Sequence, residues 1–258
     1  IISSVVATQI PFHEAYKGVV PEIASRKHTE WILPVVKTAL EEAGETLQSI
    51  DGIAVTNRPG LMGSLLVGLT FAKTLAWAYN KPFIAVNHML GHLYAAHLEQ
   101  DIPYPYLGLL VSGGHSLICK VYDFDSIEVL GSTIDDAPGE AFDKVAKFYD
   151  FGYPGGVIID KLAKNGDPKA ANFPMPVLHE SGRRYDVSYS GLKTAVINQI
   201  DQFWNPGYEK TPENIAAAFQ SRAVKILLRS LLRAVEDTGL HTIVAGGGVA
   251  ANSLLREK

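Results

Sequence analysis

Two histidines four residues apart, His88 and His92, are the pair of side chains best spaced to act together. On a helix an i, i+4 pair shares one face, with the imidazoles about 6 Å apart, close enough for both to bind a single divalent metal ion. His97 lies five positions beyond His92, which turns it roughly 140° from that face, so it is not expected to join them. Read alone, the same spacing also suits two surface or core histidines. Met89 follows His88. The HExxH helix of zinc peptidases needs a glutamate there to deprotonate water. A thioether cannot act as a base, so peptide hydrolysis loses its mechanism.

A second kind of chemistry is suggested by three glycine-rich turns, Ser112-Gly113-Gly114, Gly155-Gly156 and Gly246-Gly247-Gly248. Backbone amides in such turns can converge on an anion with no Cβ in the way. The third also precedes a helix, whose N-terminus favours a phosphate. Each turn alone reads equally as a tight turn or a helix cap. Asp143 and Asp160 are carboxylates suited to ribose hydroxyls, although a lone acid is ordinarily a surface charge. Asn252 stands just after the third turn. Lys193, in Ser188-Tyr189-Ser190-Gly191-Leu192-Lys193, could pair with a phosphate or be a solvated lysine behind an N-cap by Ser190. No GxxxxGK[ST] occurs, which excludes a P-loop on this sequence. The GxGxxA match at 246–251 lacks the following strand and acid of a dinucleotide fold before Lys258.

To position these groups the pattern supplies alternating strands and helices, an α/β arrangement. Strands are expected over 52–56 and 82–86, and helices over 61–79 and 88–99. From residue 106 the texture changes to a hairpin, 107–111 and 116–122, around the turn 112–115. A third strand follows at 127–134. Helices are then expected over 139–149, 155–164, 190–204 and 212–237, before a short strand at 242–245 and a last helix. The change of texture divides the chain into an N-terminal lobe, 1–105, and a C-terminal lobe with a helical insertion, 106–258.

Composition narrows the setting. The 258 residues are 47% hydrophobic, enough for one or two substantial cores. One cysteine, Cys119, excludes an internal disulfide or a cysteine-rich zinc site and fits a reducing compartment. No secretory signal pattern opens the sequence, so a cytoplasmic protein with no membrane is expected. The apolar stretch 61–79 contains Lys73, Ser64, Thr70 and Thr74 and is read as a helix packed between protein layers. A formal net charge of −4 argues against coating nucleic acid broadly. A local RNA contact could use Arg222, Lys225, Arg229 and Arg233, which fall in one helical stripe opposite Val224, Leu227, Leu231 and Val235. The plainer reading of that stripe is a solvated basic face.

Taken together and in order, the motifs resemble the tRNA threonylcarbamoyladenosine synthase catalytic subunits, formerly described as O-sialoglycoprotein endopeptidases, and the bacterial branch in particular. The resemblance rests on GVVPEIASR (18–26) with His28, PGLMGSLLVG (59–68), NHMLGH (87–92), LVSGGH (110–115), GEAFDKVAK (139–147), YPGG (153–156), YSGLK (189–193) and GGGVAANSLLR (246–256). It implies the two-lobed actin-like ATPase fold, with ribonuclease H-like lobes closing on an adenine nucleotide. It implies that His88 and His92 ligate iron or zinc, and that Leu110, Val111, Ser112, Gly113, Gly114, Asp143, Gly156, Asp160 and Asn252 line the site of threonylcarbamoyl-AMP, with ATP as another adenine ligand. The expected partners are tRNA, a related non-catalytic paralogue and a small ATPase subunit. Family members also carry a TSCD-like motif before the point matching Ile1, and a CTDN-like motif, whose aspartate completes the metal site, after the point matching Lys258. Arg58 stands where the family usually has glycine. An ATP-driven phosphotransferase or a chaperone-like ATPase shares the fold and would turn over ATP without tRNA.

Overall fold

A computed structural model describes residues 1–16, 18–178, 182 and 184–258. It divides into two compact units, Ile1–Gly91 and His92–Lys258.

In the first unit a short helix α1 (Ile10–Glu14) precedes α2 (Pro21–Ala43), which starts with proline in its first turn and stops at Gly44 in the left-handed conformation (φ 67°). Next come β1 (Ile53–Arg58), α3 (Met62–Ala78) and β2 (Phe83–Asn87). β1 and β2 pair in parallel from Ile53↔Phe83 onward, so α3 is the crossover of a βαβ unit. α3 meets its neighbours through small residues. Gly63 approaches α2 so closely that a Cβ would lie 2.9 Å from Ser25 Cβ, and Ala72 and Ala76 are buried. Met62, Leu66 and Trp77 stay exposed. The helix therefore leaves one face open, unlike the helix packed between protein layers that its composition suggested, while Leu65, Leu69, Phe71 and Leu75 are partly buried. Among the described residues no helix is long and apolar enough to cross a membrane.

Helix α4 (His88–Tyr94) carries both histidines of the spaced pair, and the boundary between the units falls inside it. A 3₁₀ turn, Ala95–Leu98, replaces the last part of the α-helix expected over 88–99. The boundary lies earlier in the chain than the expected 105/106, and packing explains the shift. Leu93 is buried against Gly108, where a Cβ would lie 2.4 Å from Leu93 Cδ2. The buried Tyr106 hydroxyl meets His97 Nε2 at 3.2 Å. Residues from His92 onward thus belong to the second core.

That second unit opens with β3 (Tyr106–Val111), β4 (Ser116–Val121) and β5 (Ile127–Ser132). Then follow α5 (Pro138–Phe148), α6 (Gly155–Ala163), α7 (Ser190–Asn198), α8 (Ile200–Phe203) and α9 (Pro212–Thr238). β6 (Ile243–Gly246), a 3₁₀ turn over Gly248–Ala251 and α10 (Ser253–Glu257) complete it. β3, β4 and β5 form an antiparallel meander, and β6 joins the far side of β3 in parallel, giving the order β5-β4-β3-β6. Every residue of β3 is buried. The single helix expected over 190–204 is two, interrupted at Gln199 (φ −133°).

α9 is capped as its sequence dictates. The Thr211 hydroxyl accepts from the Asn214 amide at 3.2 Å, Pro212 occupies the first turn, and Gly239 ends the helix at φ 69°. Its basic stripe is only half solvated. Lys225 and Arg233 are exposed, while Arg222 donates to Asn172 Oδ1 (2.6 Å) and Arg229 to the Pro176 carbonyl (2.8 Å). α9 packs against α6, α7 and β3, so more than one of its faces must be covered. At the centre of the core Phe142 and Phe219 meet edge to face, 4.9 Å between ring centroids. Phe219→Ala is expected to destabilise this unit by about 3–5 kcal/mol. Chemical denaturation checks this, and a loss below about 1 kcal/mol would show that the core collapses around the gap.

Candidate active site

The parallel pairing of β3 with β6 runs to Leu110↔Gly246, so the turns that leave the two strands emerge side by side. Both are glycine turns, and the one after β6 needs glycine for a steric reason. Gly247 has φ 94°, and a Cβ on it would lie 2.4 Å from the Val111 carbonyl oxygen. In the other turn the Ser112 hydroxyl accepts from the His115 amide at 3.1 Å, and the Ser112 carbonyl accepts from the Gly139 amide at 3.3 Å. A Cβ on Gly139 would lie 2.7 Å from Gly113 Cα. The start of α5 is thereby seated on the first glycine turn.

Around these turns lies a cavity of about 420 Å³, within the roughly 300–1,000 Å³ usual for small-molecule sites. Gly113, Gly139, Gly156 and Gly248 give it walls of bare backbone, and Phe142, Val157 and Val249 give it apolar ones. Asp143 and Asp160 bring carboxylates, and Lys161 and Lys164 bring positive charge. Asn252 also lines it. A Cβ on Gly113, Gly156 or Gly248 would meet nothing within 4 Å, so the space beside these residues is open.

The polar groups are held by their own partners. Asp143 Oδ1 accepts from the Gly155 amide at 2.8 Å, which ties α5 to the first turn of α6. Burial pushes the Asp143 carboxyl up, against the hydrogen bonds from the Gly155 and Gly156 amides that pull it down. Asp160 Oδ1 accepts from Ser253 Oγ (2.8 Å), the Ser253 amide (3.1 Å) and Asn252 Nδ2 (3.1 Å). Asn252 caps α10 through Oδ1, which accepts from the Leu255 amide at 3.1 Å, and its Nδ2 also donates to Gln220 Oε1 at 2.9 Å. The Asn252 amide thus spends both donors on Asp160 and Gln220 and shapes the wall of the cavity.

Of the residues expected at an adenylate site, Gly113, Asp143, Gly156, Asp160 and Asn252 meet in this one cavity. Leu110 and Val111 do not line it. Their side chains are buried in β3 because that strand is covered on both faces, and Val111 contributes the carbonyl on which Gly247 rests. Ser112 closes its turn, and Gly114 lies open in the same turn but outside the cavity lining. Sequence reasoning missed Lys161 and Lys164. With Val157 they stand at i, i+4 and i+7 along α6 and its C-cap, Lys164, a spacing that was available once Asp160 had been singled out. It also missed Gln220, whose only signal was a polar residue directly after the apolar run 215–219. His92 does not line the cavity and packs on Gly246, where a Cβ would lie 3.1 Å from His92 Cβ.

A profile of the TsaD family, tRNA N6-adenosine threonylcarbamoyltransferase, matches residues 1–258. The chain is 83% identical over 258 residues to a tRNA N6-adenosine threonylcarbamoyltransferase of Treponema denticola, covering all of this chain and 76% of that protein. It is 68% identical over 257 residues to the Treponema pallidum (strain Nichols) protein of the same name, covering 73% of it. The chain belongs to the tRNA N6-adenosine threonylcarbamoyltransferase family. Among solved structures, HypF of T. kodakarensis superposes with a TM-score of 0.64 at 14% identity, over 88% of this chain and 38% of that one. Full-length HypF in a phosphate- and nucleotide-bound form gives 0.61 at 14% identity, over 88% and 44%. The mixed α/β fold is that of the actin-like ATPase class, as the motifs implied.

In this threonylcarbamoyltransferase family member the raised Asp143 carboxyl has a consequence for stability. A carboxyl raised on folding stabilises fully below the usual carboxylate range, and that contribution is lost as pH rises through the raised value. Asp143→Asn keeps the acceptor for Gly155 and removes the buried charge. Its denaturation midpoint, compared with the native protein's, is expected to gain as pH rises from acid to neutral. A difference that stays constant with pH would contradict this.

Proposed function

We propose that the protein transfers the threonylcarbamoyl group from threonylcarbamoyl-AMP to N6 of adenosine 37 in tRNAs reading codons that begin with A, and that the glycine-walled cavity of the second unit holds the adenylate. Family membership supports the reaction. The meeting of Gly113, Asp143, Gly156, Asp160 and Asn252 around one cavity is the observation that carries the assignment of the site.

In this reading N6 of the adenosine attacks the carbamoyl carbon of the mixed anhydride. A nitrogen–carbon bond forms, the carbon–oxygen bond to the phosphate breaks, AMP leaves with the electron pair, and N6 sheds one proton to solvent. The anhydride already has a good leaving group, so the protein's share is placement and support of developing charge. Phe142, Val157 and Val249 offer apolar surface for a base. Asp143 and Asp160 offer acceptors for ribose hydroxyls. The bare amides of the glycine turns, with Lys161 and Lys164, suit an anion.

His88 and His92 would hold one divalent ion, iron or zinc, both of which accept imidazole. The fit is favourable in part. Both residues lie on α4 one turn apart, and no group of three or more His, Cys, Asp or Glu able to hold a metal occurs among the described residues. The pair therefore supplies two ligands, and the remaining positions fall to water, substrate or donors outside the described residues. Such an ion supplies Lewis acidity toward an acyl oxygen. The same proposal includes a cytoplasmic setting, the related non-catalytic paralogue and the small ATPase as partners, and ATP as a second adenine ligand.

Mass spectrometry of tRNA incubated with threonine, bicarbonate, ATP, the full-length protein and its partner subunits is expected to detect threonylcarbamoyladenosine. Replacing both His88 and His92 by alanine is expected to abolish it and to lower the bound metal. Full modification by that double variant would remove the metal from the reaction. Gly156→Val, which sets a branched side chain into open cavity space, is expected to weaken AMP binding about tenfold or more while leaving the fold intact. Unchanged affinity would move the adenylate elsewhere.

A further inference from the structure

Among the motifs lying wholly within the second unit, the segment 188–193 contributes no residue to the cavity lining, and its charged end is committed elsewhere. Lys193 Nζ lies 2.5 Å from Asp136 Oδ2, and Lys144 Nζ of α5 lies 2.7 Å from Asp136 Oδ1. Lys193 is therefore bound by a carboxylate within the fold. Ser190 does not cap α7 as expected either, because it is the first helical residue. That role falls to Asp135, whose carboxylate accepts from the amides of Tyr189 (2.8 Å) and Ser190 (3.2 Å) and from the hydroxyls of Ser188 (2.5 Å) and Ser190 (2.6 Å).

Two consecutive carboxylates thus fasten the start of α7 to the turn that leads into α5. On the α7 side the anchor is the core. Tyr189 is fully buried with its hydroxyl donating to the Ala223 carbonyl at 3.0 Å, and Leu192 is buried beside it. On the α5 side the turn continues through Ala137 and Pro138 into Gly139, which presses on Gly113. Phe142 and Asp143 follow within the next turn of the helix. A shift of this turn would move Gly139, Phe142 and Asp143 together, and all three line the cavity.

We propose that Asp136 is a positioning residue for the adenylate: by bridging Lys193 and Lys144 it fixes the first turn of α5 against the glycine turn 112–114, an assignment that rests on reading the cavity as the adenylate site. The Asp136 side chain is 13% exposed and that of Lys193 is 23% exposed. Removing the carboxylate therefore leaves a largely covered ammonium without a counter-charge, a far worse state than losing both charges. Burial pushes the Asp136 carboxyl up, but the hydrogen bonds from Lys144 and Lys193 outweigh it and hold the group below the usual carboxylate range, so it stays ionised. The Thr133 hydroxyl, donating to the Asp136 carbonyl at 2.7 Å, holds the main chain of the same turn.

The test is AMP affinity by calorimetry on the full-length protein, with KM for the adenylate and kcat measured alongside. Asp136→Asn is expected to weaken AMP about tenfold or more, with KM rising by the same factor and kcat little changed. Adding Lys193→Gln, which turns the ion pair into a neutral hydrogen-bonding pair, is expected to recover most of the loss. A folded Asp136→Asn variant with native AMP affinity, or a double variant no better than the single, overturns the proposal. Should Asp136→Asn not fold, Lys193→Gln alone carries the test with a smaller loss expected, and unchanged affinity there overturns it equally. A native protein that does not bind AMP overturns the adenylate reading of the cavity and this proposal with it.

Discussion

Parallel pairing between β3 and β6 is the constraint on which the site in the second unit depends. Four main-chain partners, from Leu107↔Ile243 to Leu110↔Gly246, bring together two segments that are far apart in sequence. Because the pairing is parallel, both strands end on the same side, and both are followed there by glycine turns. Backbone amides are then presented from two directions with no side chains between them. That arrangement suits an anionic ligand.

The strands must be held rigidly for this to work, and the helices do so through close approaches and a few polar ties. Gly139 on Gly113 seats α5, Asp143 on the Gly155 amide joins α5 to α6, and Asp160 with Asn252 and Gln220 joins α6, α9 and the start of α10. Each tie uses a half-buried or buried polar group whose partner lies on another element. Such groups are costly when unpaired, so the ties fix geometry as well as adding stability. The same residues that close the structure also line the cavity. Asp143, Asp160 and Asn252 therefore fix the shape of the cavity that they line.

His92 belongs to this second core, although its partner in the spaced pair, His88, precedes the boundary inside α4. Its backbone packs on Gly246, the last residue of β6. A Cβ at that position would press on His92, so the histidine sits directly on the end of β6. Leu93 over Gly108 and Tyr106 against His97 hold the same stretch of chain.

The sequence by itself determined the alternation of strands and helices, the i, i+4 histidines on one helix, and the family. It also marked five of the residues around the cavity, Gly113, Asp143, Gly156, Asp160 and Asn252. These are local properties: hydrophobic period, glycine-rich turns and ordered motifs. Tertiary structure alone decided that Leu110 and Val111 serve the core, that Lys193 is taken by Asp136, that Arg222 and Arg229 are tied into the fold, and that Gln220 completes the hold on Asn252. In each of these cases the side chain's role depends on a partner distant in the chain or on a strand being covered on both faces. Such information enters only when the chain closes on itself, because a carboxylate or an amide looks the same in sequence whether it meets a ligand, a lysine or another helix.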